Sequence, residues 1–108
     1  MNDPVGADST ASAGQPGVGP VARELKICNK KGLHARASAK FVQMVEKFDA
    51  DVKVTRGHET VGGNSIMGLM MLAAGPGTTI TVQATGNQAA EVVEALAALV
   101  SGRFTEEE

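Results

Sequence analysis

The chain has 108 residues, of which 43% are hydrophobic and only 3% aromatic, so it suits one small domain with an aliphatic core. Its net charge of −2 and its lack of Trp and Tyr argue against a nucleic-acid surface, which needs a basic stripe or aromatic stacking platforms. One Cys and two His exclude an internal disulfide and a typical structural zinc site, and the lone Cys suits a reducing compartment.

The two ends of the chain differ in composition from its middle. Residues 1–20 are rich in Pro, Gly, Ser and Ala, which predicts a disordered tail without the apolar middle of a signal peptide. Residues 104–108 are interpreted as an acidic, solvated tail, which leaves 21–103 as the globular domain. No run approaches the length of a membrane span, so we expect a cytoplasmic protein without a membrane partner.

The first half of the domain predicts a strand, a helix and a hairpin. Residues 21–28 alternate as in a half-buried strand. An amphipathic helix is predicted from Ala35 to about Phe48, because its apolar residues recur at three and four positions. A second strand at 52–54 and a short third strand at 60–61 follow, with His58 as an exposed residue of the turn between them.

The second half predicts a short helix, a strand and a long helix. Ser65 is a good N-cap for a helix over 66–72, in which we expect Leu69 and Leu72 to face the core. After a loop, residues 79–84 alternate cleanly as a strand. Asn87 is predicted to cap the last helix, and Gly102 to end it.

This element order, β-α-β-β-α-β-α, predicts the fold class. Each strand has one polar face and each long helix one apolar stripe, so we expect an α+β domain. Its simplest form is one four-stranded antiparallel sheet with three helices on one face. Such a two-layer fold has no deep cleft. Any chemistry would therefore take place at a surface.

The candidate reactive residue is His34, which falls where the first helix begins. Gly32 supplies the preceding turn, and Arg36 lies two residues into the helix. A phosphate on His34 would meet unpaired amides, the positive end of the helix dipole and a guanidinium suited to oxyanions. The alternative is a His that only caps the helix, and spacing alone favours that alternative. We find no Ser/His/Asp set, paired carboxylates, P-loop or metal cluster, which indicates a group carrier rather than a self-contained catalyst.

Two motifs in this order and spacing resemble those of the HPr family, the phosphocarriers of the phosphoenolpyruvate-dependent phosphotransferase system. They are Gly32-Leu33-His34-Ala35-Arg36 and, about thirty residues later, Ser65-Ile66-Met67-Gly68. The resemblance covers residues 21 to about 103 and implies an open-faced β-sandwich. One departure is Ala37, where the family often has Pro; Pro would preset the first helical turn, and Ala is compatible with it.

The resemblance also implies a function. His34 would accept a phosphoryl group on Nδ1 from phosphohistidine enzyme I and pass it to an EIIA-type acceptor, with Arg36 steadying the phosphate. Ser65 would be a regulatory site for HPr kinase/phosphorylase. The protein would act as a monomeric substrate and donor, not as an enzyme, with no metal or organic cofactor. The docking residues implied are Ala35, Ala39, Ile66, Met67 and Met70.

A second interpretation is a regulatory binding module, in which the state of Ser65 sets partner choice and His34 is residual. The presence of both His34 and Arg36 favours the phosphocarrier. The sequence leaves open whether the acceptors belong to sugar transport or to the nitrogen-type regulatory branch.

Overall fold

The computed structural model describes residues 20–105, so almost all of the predicted tail over 1–20 and the last three residues of the predicted acidic tail lie outside the described residues. Four strands and three helices follow one another along this part of the chain. They are β1 (Val21–Lys26), α1 (Ala35–Val45), β2 (Asp51–Arg56), β3 (Glu59–Gly62), α2 (Ile66–Met71), β4 (Thr79–Thr85) and α3 (Ala89–Ser101). The predicted element order is confirmed.

The strands form one antiparallel sheet in the order β1-β4-β2-β3. Its register places Leu25 opposite Ile80 and Val54 opposite Val82, and all four side chains are buried beneath the helices. Alternate residues such as Lys53 and Gln83 are exposed on the other face. The predicted fold class, an open-faced α+β sandwich with three helices on one side, is therefore confirmed.

The core between sheet and helices is almost entirely aliphatic. Leu69 and Leu72 are 0% and 3% exposed, which confirms the inward face predicted for α2. Burial of each such side chain contributes about 1.5–3 kcal/mol, so packing rather than helix propensity holds this six-residue helix in place. Among the described residues the structure has no helix that is both long and apolar enough to cross a lipid bilayer.

Three helix boundaries differ from the predictions. Helix α2 ends at Met71, one residue before the predicted end, with Leu72 as its C-cap. Helix α1 ends at Val45, because the amides of Lys47 and Phe48 bond carbonyls three residues back and tighten the chain into turns. The residue at the N-cap of α3 is Gln88 rather than Asn87. Asn87 instead donates from Nδ2 to Oδ2 of Asp49 at 2.9 Å, which joins the loops before β2 and α3.

The end of the described chain is not a solvated tail, so that interpretation is wrong for Phe104. This ring is 1% exposed and belongs to the core, although Arg103, Phe104 and Thr105 all have left-handed φ angles between 54° and 60°. The Nζ of Lys40, on α1, donates to the Phe104 carbonyl at 2.7 Å. The left-handed backbone costs roughly 1–2 kcal/mol per residue. Burial of the ring contributes about 1.5–3 kcal/mol and offsets part of this cost.

The sequence pattern indicates that Cys28 is a small apolar residue at a strand end, and the structure corrects this interpretation. Its side chain is exposed, with Sγ 3.4 Å from the carbonyl oxygen of Val100. Cys28 lies two residues beyond β1, and its neighbour Ile27 is the residue that is buried in the core.

Candidate functional site

The loop between β1 and α1 is a tight turn that brings His34 to the start of α1. The amide of Gly32 donates to the Asn29 carbonyl, and Nδ2 of the buried Asn29 donates back to the Gly32 carbonyl at 2.8 Å. Gly32 has a φ of +66°, and a Cβ at this position would lie 2.4 Å from the carbonyl oxygen of Ala74. Only glycine satisfies both the left-handed backbone and this close approach.

His34 is the N-cap of α1, as its position in the sequence predicted. Its backbone is extended, and its Nδ1 accepts a hydrogen bond from the Ala37 amide at 3.1 Å. An imidazole nitrogen that accepts a hydrogen bond bears the lone pair, so a neutral His34 ring has its proton on Nε2. The lone pair of Nδ1 in this half-buried ring therefore points at the opening turn of the helix.

The first turn of α1 favours an anion beside His34. The first hydrogen bond inside the helix runs from the Ser38 amide to the His34 carbonyl at 2.9 Å, so the amides of Ala35 and Arg36 precede the helical ladder. The first turn has no acidic side chain that would compete for these donors. Arg36 is exposed at the second helical position and brings a permanent positive charge to the site.

Ser65 is the N-cap of α2, again as predicted. Its Oγ accepts from the Gly68 amide at 2.9 Å, and the residue is half-buried. A Cβ at position 68 would lie 3.0 Å from both Ser65 Oγ and Val61 Cβ, so a side chain there would crowd the cap. The half-buried Ser65 hydroxyl therefore already makes the hydrogen bond that caps α2.

The outer side of α2 is an apolar surface, which we call the α2 patch. Three residues were predicted to be exposed there, and this is confirmed: Ile66 is 40% exposed, Met67 71% and Met70 40%. A fourth exposed residue, Met71, was not predicted to belong to this surface and is 68% exposed. The signal that could have found it was its spacing of four from Met67, which puts both on one face of a helix. On α1, Ala35 is exposed and Ala39 half-buried.

The His34 loop and α2 are joined directly. The Leu33 amide donates to the Ala74 carbonyl at 2.9 Å, three residues beyond the end of α2, and α1 and α2 pack against each other. From the sheet, Arg56 on β2 donates a hydrogen bond from Nη1 to the Leu72 carbonyl at 3.1 Å, which fixes the C-terminal end of α2. The two capping residues and the α2 patch therefore belong to one connected layer.

The described part of the chain has no candidate metal centre. Residues 20–105 contain no group of three or more His, Cys, Asp or Glu side chains that could bind a metal ion. His58 is exposed in the turn between β2 and β3, as predicted. A shallow depression of about 240 Å³ lies on the open face of the sheet, lined by Asp51, Lys53, Gln83 and Thr85, on the side away from the helices.

One carboxyl outside the site has a shifted pKa. Glu94 on α3 accepts a hydrogen bond from Arg23 on β1, and this guanidinium holds the pKa of Glu94 below its ordinary value of 4.5. The pair ties α3 to an edge strand of the sheet.

Taken together, the fold and the site define a small α+β protein with a histidine at the N-cap of a helix, on the side of the sheet away from the depression described above. A family model described as the PTS HPr component phosphorylation site matches residues 21–102. The phosphocarrier protein HPr of Cupriavidus necator is 49% identical over 86 residues, which is 80% of this chain and 97% of that protein. The phosphocarrier protein NPr of Shewanella violacea is 40% identical over 84 residues, 78% of this chain and 92% of that protein.

Solved structures agree with these relatives. A crystal structure of the phosphocarrier protein HPr from Bacillus anthracis has a TM-score of 0.72 and 43% identity, covering 75% of this chain and 96% of that one. A crystal structure of an HPr dimer from Thermoanaerobacter tengcongensis has a TM-score of 0.64 and 38% identity, covering 76% and 94%. The chain therefore belongs to the HPr family of phosphocarrier proteins of the phosphotransferase system, and the family resemblance predicted from its two motifs is confirmed.

Proposed function

We propose that this phosphocarrier accepts a phosphoryl group on His34 Nδ1 from phosphohistidine enzyme I and passes it to an EIIA-type acceptor protein. The observation that supports this proposal best is the hydrogen bond from the Ala37 amide to Nδ1. Because Nδ1 accepts this bond, it bears the lone pair of a neutral ring, and it faces an N–H donor of the helix start.

The transfer needs positioning and charge stabilisation rather than a pocket. The lone pair of Nδ1 attacks phosphorus, a new P–N bond forms, and the P–N bond of the donor histidine breaks with its electron pair returning to that ring. Nδ1 then no longer accepts from Ala37, and a phosphoryl oxygen takes over the Ala37 amide. The amides of Ala35 and Arg36 lie at the same positive helix end.

Arg36 would steady the transferred group. Its guanidinium offers several N–H donors to phosphate oxygens. Because Arg36 is exposed at the second position of α1, its side chain is free of the core and can swing toward a phosphate on the neighbouring N-cap.

Ser65 would be the regulatory site, phosphorylated by HPr kinase and dephosphorylated by the phosphorylase activity of the same enzyme. A dianion at the start of α2 is compatible with the helix dipole, so the fold should survive the modification. The added charge would lie directly beside Ile66 and Met67. It would then act by changing recognition at the α2 patch rather than by unfolding the helix.

Partners would dock on the first turn of α1 and on the α2 patch, through Ala35, Ala39, Ile66, Met67 and Met70. The hydrogen bond from Leu33 to Ala74 supports this, because it holds the loop that carries His34 against the chain that follows α2. We propose a cytoplasmic monomer that uses no metal or organic cofactor and leaves its site open to donor and acceptor in turn. Both HPr and NPr are among its relatives, so acceptors of either branch are compatible with it.

The test of the carrier function is labelling by phosphoenolpyruvate in the presence of enzyme I. We expect an acid-labile, alkali-stable phosphate that is lost in His34→Ala and retained in the matched control His58→Ala, whose ring is exposed in a hairpin turn. Label that persists in His34→Ala would refute the site.

The regulatory part is tested separately with ATP and HPr kinase. We expect an acid-stable phosphate that is lost in Ser65→Ala and kept in Ser101→Ala, a second accessible serine at the end of α3. If only Ser65 acquired phosphate and His34 never did, the chain would be a regulatory binding module instead of a carrier.

A further inference from the structure

Two methionines on the outer side of α2 are unusually accessible. Met67 and Met71 are 71% and 68% exposed, and their spacing of four residues puts them one above the other on the same helix face. By contrast, Met44 on α1 is partly buried against the core.

We propose that Met67 and Met71 form a reversible oxidation site for hydroperoxides, and that their oxidation weakens docking at the α2 patch. The thioether sulfur is a soft nucleophile that reacts with a peroxide without first losing a proton. Its rate of oxidation therefore depends on how exposed the sulfur is. The same two side chains make up much of the apolar area of the patch. This proposal rests on the docking role given above.

The chemistry is a two-electron oxygen transfer. The thioether sulfur attacks one oxygen of hydrogen peroxide, an S–O bond forms, the O–O bond breaks, and the peroxide is reduced to water while the sulfur becomes a sulfoxide. Reduction back to the thioether by methionine sulfoxide reductase consumes two thiols, which become a disulfide, and releases water.

Oxidation should affect recognition and leave the fold intact. Because both side chains are exposed to solvent, a sulfoxide oxygen can remain hydrated in the free protein, and the buried Leu69 and Leu72 still anchor α2. When a partner covers the patch, the same oxygen must lose its water in an apolar contact. The cost of one such polar group is on the order of a tenfold loss in binding.

The first arm of the test maps the oxidation. The full chain, carrying Cys28→Ser to remove the exposed thiol, is treated with hydrogen peroxide, and the mass increase at each methionine is followed by peptide mass spectrometry. We expect Met67 and Met71 to be oxidised well before Met44. Oxidation of Met44 at the same rate would overturn the proposal, because accessibility would then not select the site.

The second arm measures phosphoryl transfer from phosphorylated enzyme I before and after peroxide. With both methionines oxidised, we expect KM to rise between about tenfold and a hundredfold with little change in kcat, and sulfoxide reductase to restore it. In Met67→Leu/Met71→Leu the ratio of KM after to before treatment should stay near one, whatever its starting value. In the control Met44→Leu this ratio should match that of the parent.

The outcomes separate the two proposals. Normal transfer before and after complete oxidation of both methionines would overturn the oxidation site and leave the carrier function standing. An equal rise in KM in the double Leu variant would also overturn it, since the effect would then come from another residue. No transfer to the untreated protein would refute the carrier function and, with it, this inference.

Discussion

Gly32→Ala tests how the His34 loop is held against α2. Alanine at a φ of +66° costs roughly 1–2 kcal/mol, and the lost freedom of the unfolded chain offsets about 0.4–1 kcal/mol of this. In addition, the new Cβ would lie 2.4 Å from the Ala74 carbonyl oxygen, where ordinary contact begins at 3.4 Å. The loop must therefore move, and the hydrogen bond from Leu33 to Ala74 is lost.

Since Leu33 and Ala74 are both buried, the loss of that bond adds about 1–3 kcal/mol. The expected fall in the free energy of unfolding for Gly32→Ala is then about 2–4 kcal/mol. Gly57→Ala is the matched control, because Gly57 has a φ of +61° and no atom within 4 Å of the position that a Cβ would take. It should lose no more than about 1–2 kcal/mol.

Urea denaturation of both variants at one temperature measures the difference, which isolates the contact with Ala74 from the backbone penalty. Gly32→Ala should also slow phosphoryl transfer from enzyme I, because the loop that moves is the one that positions His34. Equal destabilisation of the two variants would refute the argument, since both share the left-handed backbone and only one has the close approach.

Three further predictions concern other parts of the structure. Phe104→Ala should lower the free energy of unfolding by about 3–5 kcal/mol in urea, and a loss below about 1 kcal/mol would show that the ring is not in the core. Ser65→Ala should cost about 1 kcal/mol by the same assay, whereas Ser65→Asp, which can still cap α2, should recover most of it. Because Arg23 lowers the pKa of Glu94, their pairing stabilises the fold above pH 4.5 and is lost as the pH falls through the lowered pKa. The melting temperature of Glu94→Gln should therefore decline less on acidification than that of the parent. An unchanged decline would contradict this pairing.

Local patterns predicted most of the elements because their signals are short in range. Apolar spacing of three and four defined α1, and alternation defined β4. The caps at His34 and Ser65 were also predictable, since a cap depends on a side chain and an amide only three residues apart. The single antiparallel sheet followed from which faces had to be buried.

The errors fall where a distant contact replaces a local one. Asn87 has the chemistry of a cap, but its side chain bonds Asp49 on another loop and leaves Gln88 at the N-cap. Phe104 follows a helix-ending glycine and precedes acidic residues, a pattern typical of a solvated tail. Its ring instead fills core space next to α1, where Lys40 bonds the backbone.

The amino-acid sequence alone determined the elements, the helix-start position of His34 and the family, because each depends on residue types at short spacings. Only the tertiary structure decided which nitrogen of that ring accepts a hydrogen bond from the Ala37 amide. It alone also decided that the Gly32 turn packs closely against the backbone of Ala74, which follows α2. It also decided that Met67 and Met71 share the solvent-facing side of that helix. These outcomes depend on which distant segments meet when the core closes, and no local pattern contains that information.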